Sequence, residues 1–305
     1  YTSGFSDWYS ETVPVQALTP YEYTDTYNSN IPTIIEAGFT ITGTSTMYFT
    51  DVGYTKSTNG IWSTTTAKFT SPPNATSVKV FHLINSVGSL SVAKPVLHKV
   101  ADGIVFPEGM VSITFDDGTQ TQYDKAFPIL KAAGIKATFY IVSDSMQKAG
   151  IVGTSTGDVT NDYMNASEVM SLNRAGNEIG NHTTNHCNLA LGSCPDAEIP
   201  NSVNLLTTAQ EIENASTTLR GIGALPVDTF SFPYGAYNDS ALKVVASSGL
   251  LSSRIVSRGY NIANGDPYTL RIQYVNASST SPADFENIVK PWIETARANH
   301  VWLIL

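Results

Sequence analysis

The chain has 305 residues, with 17 lysines and arginines against 26 aspartates and glutamates, for a formal net charge of −9. One or two domains are expected at this length, either able to bury a full core. The acidic balance excludes the basic footprint that nucleic-acid binding requires and counts against docking on anionic membrane, and no run of about 18 apolar residues exists to span a bilayer.

The first hundred residues lack helical periodicity. Short alternating or β-branched runs recur between turn residues, at 33–41, 46–50, 61–69, 78–84 and 90–98. That spacing predicts an antiparallel β-sandwich. Pro72-Pro73-Asn74 turns the chain into the run 77–84, whose alternation puts Val78, Val80 and His82 on one face. His82 and His98 lie on strands and read as packed or exposed groups rather than as ligands. Trp8, Tyr9, Tyr21, Tyr23, Tyr27, Tyr54 and Trp62 are candidate sugar-binding aromatics. Flat rings at the surface stack on the apolar faces of sugars, whereas buried ones fill a core or a domain interface. A Gly- and Pro-punctuated linker follows at 100–109, so the expected domains are 1–104 and 105–305.

Beyond the linker, strand and helix patterns alternate. Val111-Ser-Ile-Thr-Phe-Asp-Asp-Gly118 predicts a buried strand that ends in two adjacent carboxylates and a glycine able to turn sharply. A helix is expected over 122–133 with Gly134 as its C-cap, then a strand at 136–142. Asn165 or Ser167 should cap a helix running to Ala175, stopped by Gly176, and a long amphipathic helix is expected over 202–222. A strand from Thr229, a helix over 239–248, short strands near Ser253 and Leu270, a helix over 282–299 and an apolar strand at 301–305 complete the chain. Alternating strand and helix units with chemistry at strand ends describe an α/β barrel.

Three motifs carry the chemistry. Asp116 and Asp117 repel one another unless a cation or an arginine lies between them. In Gly180-Asn-His-Thr-Thr-Asn-His186, His182 and His186 are four residues apart, the spacing at which one helical turn brings two metal ligands to the same face. Thr229-Phe-Ser-Phe-Pro-Tyr-Gly235 is a further strand ending in a turn. Each alone is weak; together, each at a strand terminus, they are strong. Cys187 and Cys194 bracket a short loop behind His186 and would close a disulfide in an oxidising compartment, the rival role being a thiolate metal ligand.

The set Thr114-Phe-Asp-Asp-Gly118, His182-Thr-Thr-Asn-His186 and Phe232-Pro-Tyr-Gly235 resembles the polysaccharide deacetylases with a NodB homology domain, carbohydrate esterase family 4. The resemblance covers roughly residues 108–305, about two-thirds of the chain. It implies a distorted, incomplete (β/α) barrel and a hydrolase that removes N-acetyl groups from amino sugars of a polysaccharide of the chitin, poly-N-acetylglucosamine or peptidoglycan type. It also implies one divalent metal held by Asp117, His182 and His186, with zinc favoured and cobalt, nickel or manganese as substitutes. The metal would activate a water for attack on the acetamide carbonyl, with Asp116 as base and the backbone N–H of Tyr234, after the turn-fixing Pro233, donating to the oxyanion. The first hundred residues are similar in pattern to the jelly-roll carbohydrate-binding modules attached to polysaccharide hydrolases, which makes Trp8, Tyr9, Tyr54 and Trp62 the candidate sugar contacts.

Two departures from the family stand out. Ser231 holds the place of an arginine that pairs with the catalytic aspartate, and Arg254 or Arg271 is expected to reach that spot instead. The family's closing Leu-x-His supplies a general acid; Leu303-Ile-Leu305 has the leucine but no following histidine, so the expectation is a sequence truncated at its last strand or a site lacking the acid. The alternatives are an O-acetyl xylan esterase with the same machinery, or a non-catalytic glycan-binding protein on a degraded scaffold. Sparse charge and abundant Ser, Thr, Asn and Tyr are common in secreted carbohydrate-active proteins, and the start at Tyr1 without a leader is read as a removed signal peptide or trimming, so a secreted or cell-surface location is expected.

Overall fold

A computed structural model describes residues 6–44, 46–148, 163–194, 206–275 and 281–305. The first eight strands are β1 (Ser6–Tyr9), β2 (Val13–Pro14), β3 (Pro20–Ser29), β4 (Thr33–Ile41), β5 (Met47–Thr55), β6 (Ser63–Thr70), β7 (Ala75–Ile84) and β8 (Leu90–Lys99). Among the described residues they form two antiparallel sheets, β1-β7-β4-β5 with β2 also on β7, and β6-β3-β8. One apolar core lies between them, with Tyr21, Tyr23 and Phe69 from one sheet meeting Ile35, Phe39, Val52, Val78 and Val80 from the other.

Strand β3 escapes the sequence patterns because its inward residues are tyrosines alternating with polar groups. Its strict alternation buries Tyr21, Tyr23, Asp25, Tyr27 and Ser29. Tyr21, Tyr23 and Tyr27 are therefore core residues rather than sugar contacts. His82 is also fully buried, with Nδ1 2.7 Å from Asp25 Oδ2 and Nε2 2.5 Å from Thr33 Oγ1. His98 is half exposed.

The remaining strands are β9 (Met110–Ser112), β10 (Thr114–Phe115), β11 (Thr138–Ile141), β12 (Glu178–Asn181), β13 (Thr229–Ser231), β14 (Ser252–Arg258), β15 (Leu270–Ile272) and β16 (Trp302–Ile304). Strands β10 to β15 make one all-parallel sheet in sequence order, and β9 pairs in parallel with β16. Helices α1 (Phe127–Ala133), α2 (Ala166–Arg174), α3 (Thr208–Gly221), α4 (Asp239–Ser247), α5 (Pro282–Asp284) and α6 (Lys290–Asn299) lie between them. This is an incomplete (β/α) barrel.

The expected buried strand at 111–115 is corrected in two respects. It is split, its first half bonding the last strand and its second half bonding β11. Val111 is 44% exposed, while Ile113 and Phe115 pack partly buried on the core. A strand that changes partner at Ile113 cannot cover both its faces along its whole length.

Local stop and start signals act as their chemistry dictates. Gly134 ends α1 at φ 68°, and Asn165 caps α2 with a reciprocal bond from Glu168. The turn before α1 (Gln122–Ala126) and the stretch joining α5 to α6 (Phe285–Val289) are π-helical. Helix α3 is capped by Thr207 and begins at Thr208; most of the expected start near residue 202 lies outside the described residues. No helix among the described residues is long and apolar enough to cross a membrane.

Strand β5 docks on the parallel sheet. Tyr237 Oη donates to the Val52 carbonyl at 2.9 Å and Arg271 Nη1 to Thr50 Oγ1 at 2.8 Å.

Candidate active site

Asp117 and Gly118 both adopt left-handed backbone, at φ 74° and 76°. Aspartate tolerates this region better than most residues, and glycine is indifferent to it. The double turn carries the chain off β10 so that Asp116 and Asp117 face different partners. Gln122 Nε2 donates to the Asp116 carbonyl and braces the turn.

The histidine segment is a loop, which corrects the expectation of a helical turn. Thr183 and His186 sit at φ 68° and 56°, and these two reversals, rather than a 3.6-residue period, bring the imidazoles together. Their ring centroids are 5.0 Å apart. His182 is buried, its N–H donating to Ile141 O at 3.1 Å, and His186 is partly exposed. Both Nε2 atoms lie 3.3 Å from the same oxygen, Asp117 Oδ1.

This donor set fits a divalent metal. His182 Nδ1 is 2.7 Å from the Ser231 carbonyl, which only accepts, so Nδ1 carries the proton. In a neutral ring, Nε2 then presents a lone pair toward the Asp117 carboxylate. Two electron-rich atoms at that distance require a cation between them, or a second proton on the ring. Tying off the far nitrogen of a ligating histidine is the usual supporting arrangement in metal sites. Burial pushes the Asp117 carboxyl up, but the hydrogen bond and charge of His182, with His186 and Arg254, hold it net below the usual range.

Asp116 pairs with Arg254 through Oδ1 and Nη2. Arg254 is almost fully buried on β14, and its guanidinium lies 4.9 Å from the Tyr140 ring centroid. Its register partner on β13 is Ser231, so the guanidinium reaches from one strand across. Arg271 does not come here: it is buried against Thr50 Oγ1 and Arg258 O, as part of the contact with β5. Its placement in the site is corrected for that reason.

After buried Pro233, Tyr234 has φ 59° and ψ 5°, an uncommon conformation for a bulky side chain and one that clusters at functional sites. Its ring packs 4.6 Å from that of His186 and is 40% exposed. Cys187 and Cys194 are bonded to each other, which removes the thiols a metal would need. Tyr54 is corrected as a sugar contact, since it packs on Tyr237 and donates to Asp51 at 2.6 Å. Tyr9 and Trp62 are exposed at 56% and 51%, and the Trp8 side chain lies outside the described residues.

Sequence reasoning missed Asn181 and Glu211, both buried against the histidine loop. A signal existed for the second. Glu211, Ala215 and Leu219 follow one another at four-residue steps and are all buried, so a carboxylate interrupts the inward stripe of α3.

Residues 104–252, just under half of the chain, match the family model described as polysaccharide deacetylase. Among curated relatives, the poly-beta-1,6-N-acetyl-D-glucosamine N-deacetylase of Staphylococcus aureus (strain MRSA252) is 26% identical over 188 residues, 61% of this chain. The chain spans 60% of that relative's length. Similar solved structures include the Streptococcus pyogenes deacetylase PplD in complex with acetate, at 20% identity and TM-score 0.45, over 58% of this chain and 68% of that one. IcaB from Ammonifex degensii is 21% identical with TM-score 0.44, over 60% and 72%.

Proposed function

We propose that this chain hydrolyses N-acetyl groups on amino sugars of an extracellular or cell-surface polysaccharide, releasing acetate and leaving a free amine. The observation that carries this reading is the convergence of His182 and His186 on one oxygen of Asp117 beside an Asp116–Arg254 pair. Asp117, His182 and His186 would hold one divalent metal, for which zinc suits the mixed imidazole and carboxylate donors. Such an ion supplies a Lewis acid for the acetamide carbonyl and makes water a stronger nucleophile at neutral pH.

The other steps belong to the chain's own residues. Asp116, held by Arg254, accepts the proton of the attacking water at its carboxylate. Pro233 fixes the turn, and the backbone N–H of Tyr234, the position the family resemblance implies, would donate to the developing oxyanion. A division into domains at 1–104 and 105–305 accompanies this reading, with exposed Tyr9 and Trp62 as glycan contacts of the first.

The test is metal content by elemental analysis, with acetate release from N-acetylglucosamine oligomers on the same sample. Stoichiometric metal and release that a chelator abolishes are expected. Asp117→Ala should lose both. Acetate release that survives complete metal removal would overturn the metal-dependent reading.

A further inference from the structure

We infer that Glu211 on α3 is a positioning residue for the metal-binding loop, its buried carboxylate setting the backbone between His182 and His186. The inference rests on the metal-dependent reading above. Glu211 is 1% exposed. Its Oε2 accepts the backbone N–H groups of Thr184 at 3.0 Å and Asn185 at 2.9 Å, and its Oε1 accepts Asn185 Nδ2 at 2.8 Å. The Glu211 backbone carbonyl also accepts the Thr184 N–H and hydroxyl, each at 3.0 Å. Oε1 lies 3.3 Å from Cys187 Sγ, a disulfide sulfur with no proton to give.

The placement of these bonds carries the argument. The segment between the histidines is neither helix nor strand, so no regular ladder pairs its N–H groups. Thr184 and Asn185 are only partly buried, and the Glu211 carboxylate takes their two consecutive backbone N–H groups. Asn181 provides the second tether to α3: its Oδ1 accepts the Thr183 N–H at 2.8 Å, while its Nδ2 donates to Ile212 O and Ser216 Oγ, each at 2.8 Å. The His182 ring is aimed by Ser231 O. The approach of His186 to Asp117 therefore depends on the path of residues 184 and 185, which Glu211 holds. A buried carboxylate is unfavourable unless it is well paired, so its place in line with Ala215 and Leu219 calls for a partner, and the loop is that partner.

Partners beyond the ligands typically change metal affinity by about 10–100-fold. The experiment measures Zn2+ affinity of the full chain by competition with a chromophoric chelator, and folding of the metal-free protein by near-UV circular dichroism and thermal melting. Glu211→Ala is expected to bind Zn2+ about 10–100-fold more weakly while folded. Glu211→Gln keeps an oxygen for the two backbone N–H groups and is expected to return to within a few-fold of wild type. If Glu211→Ala does not fold, Glu211→Asp, whose shorter side chain withdraws the acceptor, carries the same expectation. Wild-type Zn2+ affinity in a folded Glu211→Ala or Glu211→Asp chain, with only the melting temperature lowered, would make the role merely structural and overturn the inference. A wild-type chain that binds no Zn2+ removes the metal reading and this inference together; equal affinities remove the inference alone.

Discussion

Asp116 and Asp117 are neighbours in the chain with opposite partners, one turned to a guanidinium and the other to two imidazoles. In the proposed mechanism that separation corresponds to different work. Asp116→Asn should lower acetate release by about 10²–10⁴-fold, the usual contribution of a positioned base, with metal content unchanged. Arg254→Met should produce a smaller loss, also at full metal content. Asp117 carries a pH consequence in the metal-free protein. Its folded carboxyl lies below its ordinary value, so its contribution is full above the unfolded value of about 3.9 and is lost as pH falls through the lower folded one. The stability gap between wild type and Asp117→Asn, followed by denaturant unfolding, should narrow as pH drops below about 4. At this scale the Asp, His and His set was legible because each of its two motifs follows a strand-like run. Arg254 could not be separated from Arg271, because the register that sets it beside Ser231 is a property of the sheet and not of spacing along the chain.

Helix boundaries with strong local chemistry were readable at the level of elements. Asn165 and Gly134 act through hydrogen bonds and backbone conformation that involve only nearby residues. Asn165→Ala should cost about 1 kcal/mol in equilibrium unfolding, the typical value for a lost N-cap. The elements that resisted reading depend on distant parts of the molecule. Strand β3 hides its core in tyrosines and a buried aspartate. The histidine loop looks helical by spacing, but it is held open by α3, whose residues lie more than twenty positions further on. The histidine spacing was informative about which side chains meet and misleading about the backbone that brings them together.

Across the whole molecule, the antiparallel sheets are bonded to the barrel. Arg271 and Tyr237 carry that contact to β5, so an arginine that sequence reading placed near the chemistry instead joins the two halves. The partner change at Ile113 has a kinetic corollary. Val111 pairs with Leu303, a separation of 303 − 111 = 192 positions, whereas Phe115 pairs with Phe139, only 139 − 115 = 24 away. Closing the longer loop costs more chain entropy before any contact rewards it. In pulse-labelled hydrogen exchange during refolding, the Thr138 amide, bonded to Ile113 O, should gain protection before that of Leu305, bonded to Ser112 O. Two amides whose acceptors are adjacent residues would then report opposite ends of the folding time course, with the barrel closing on itself last.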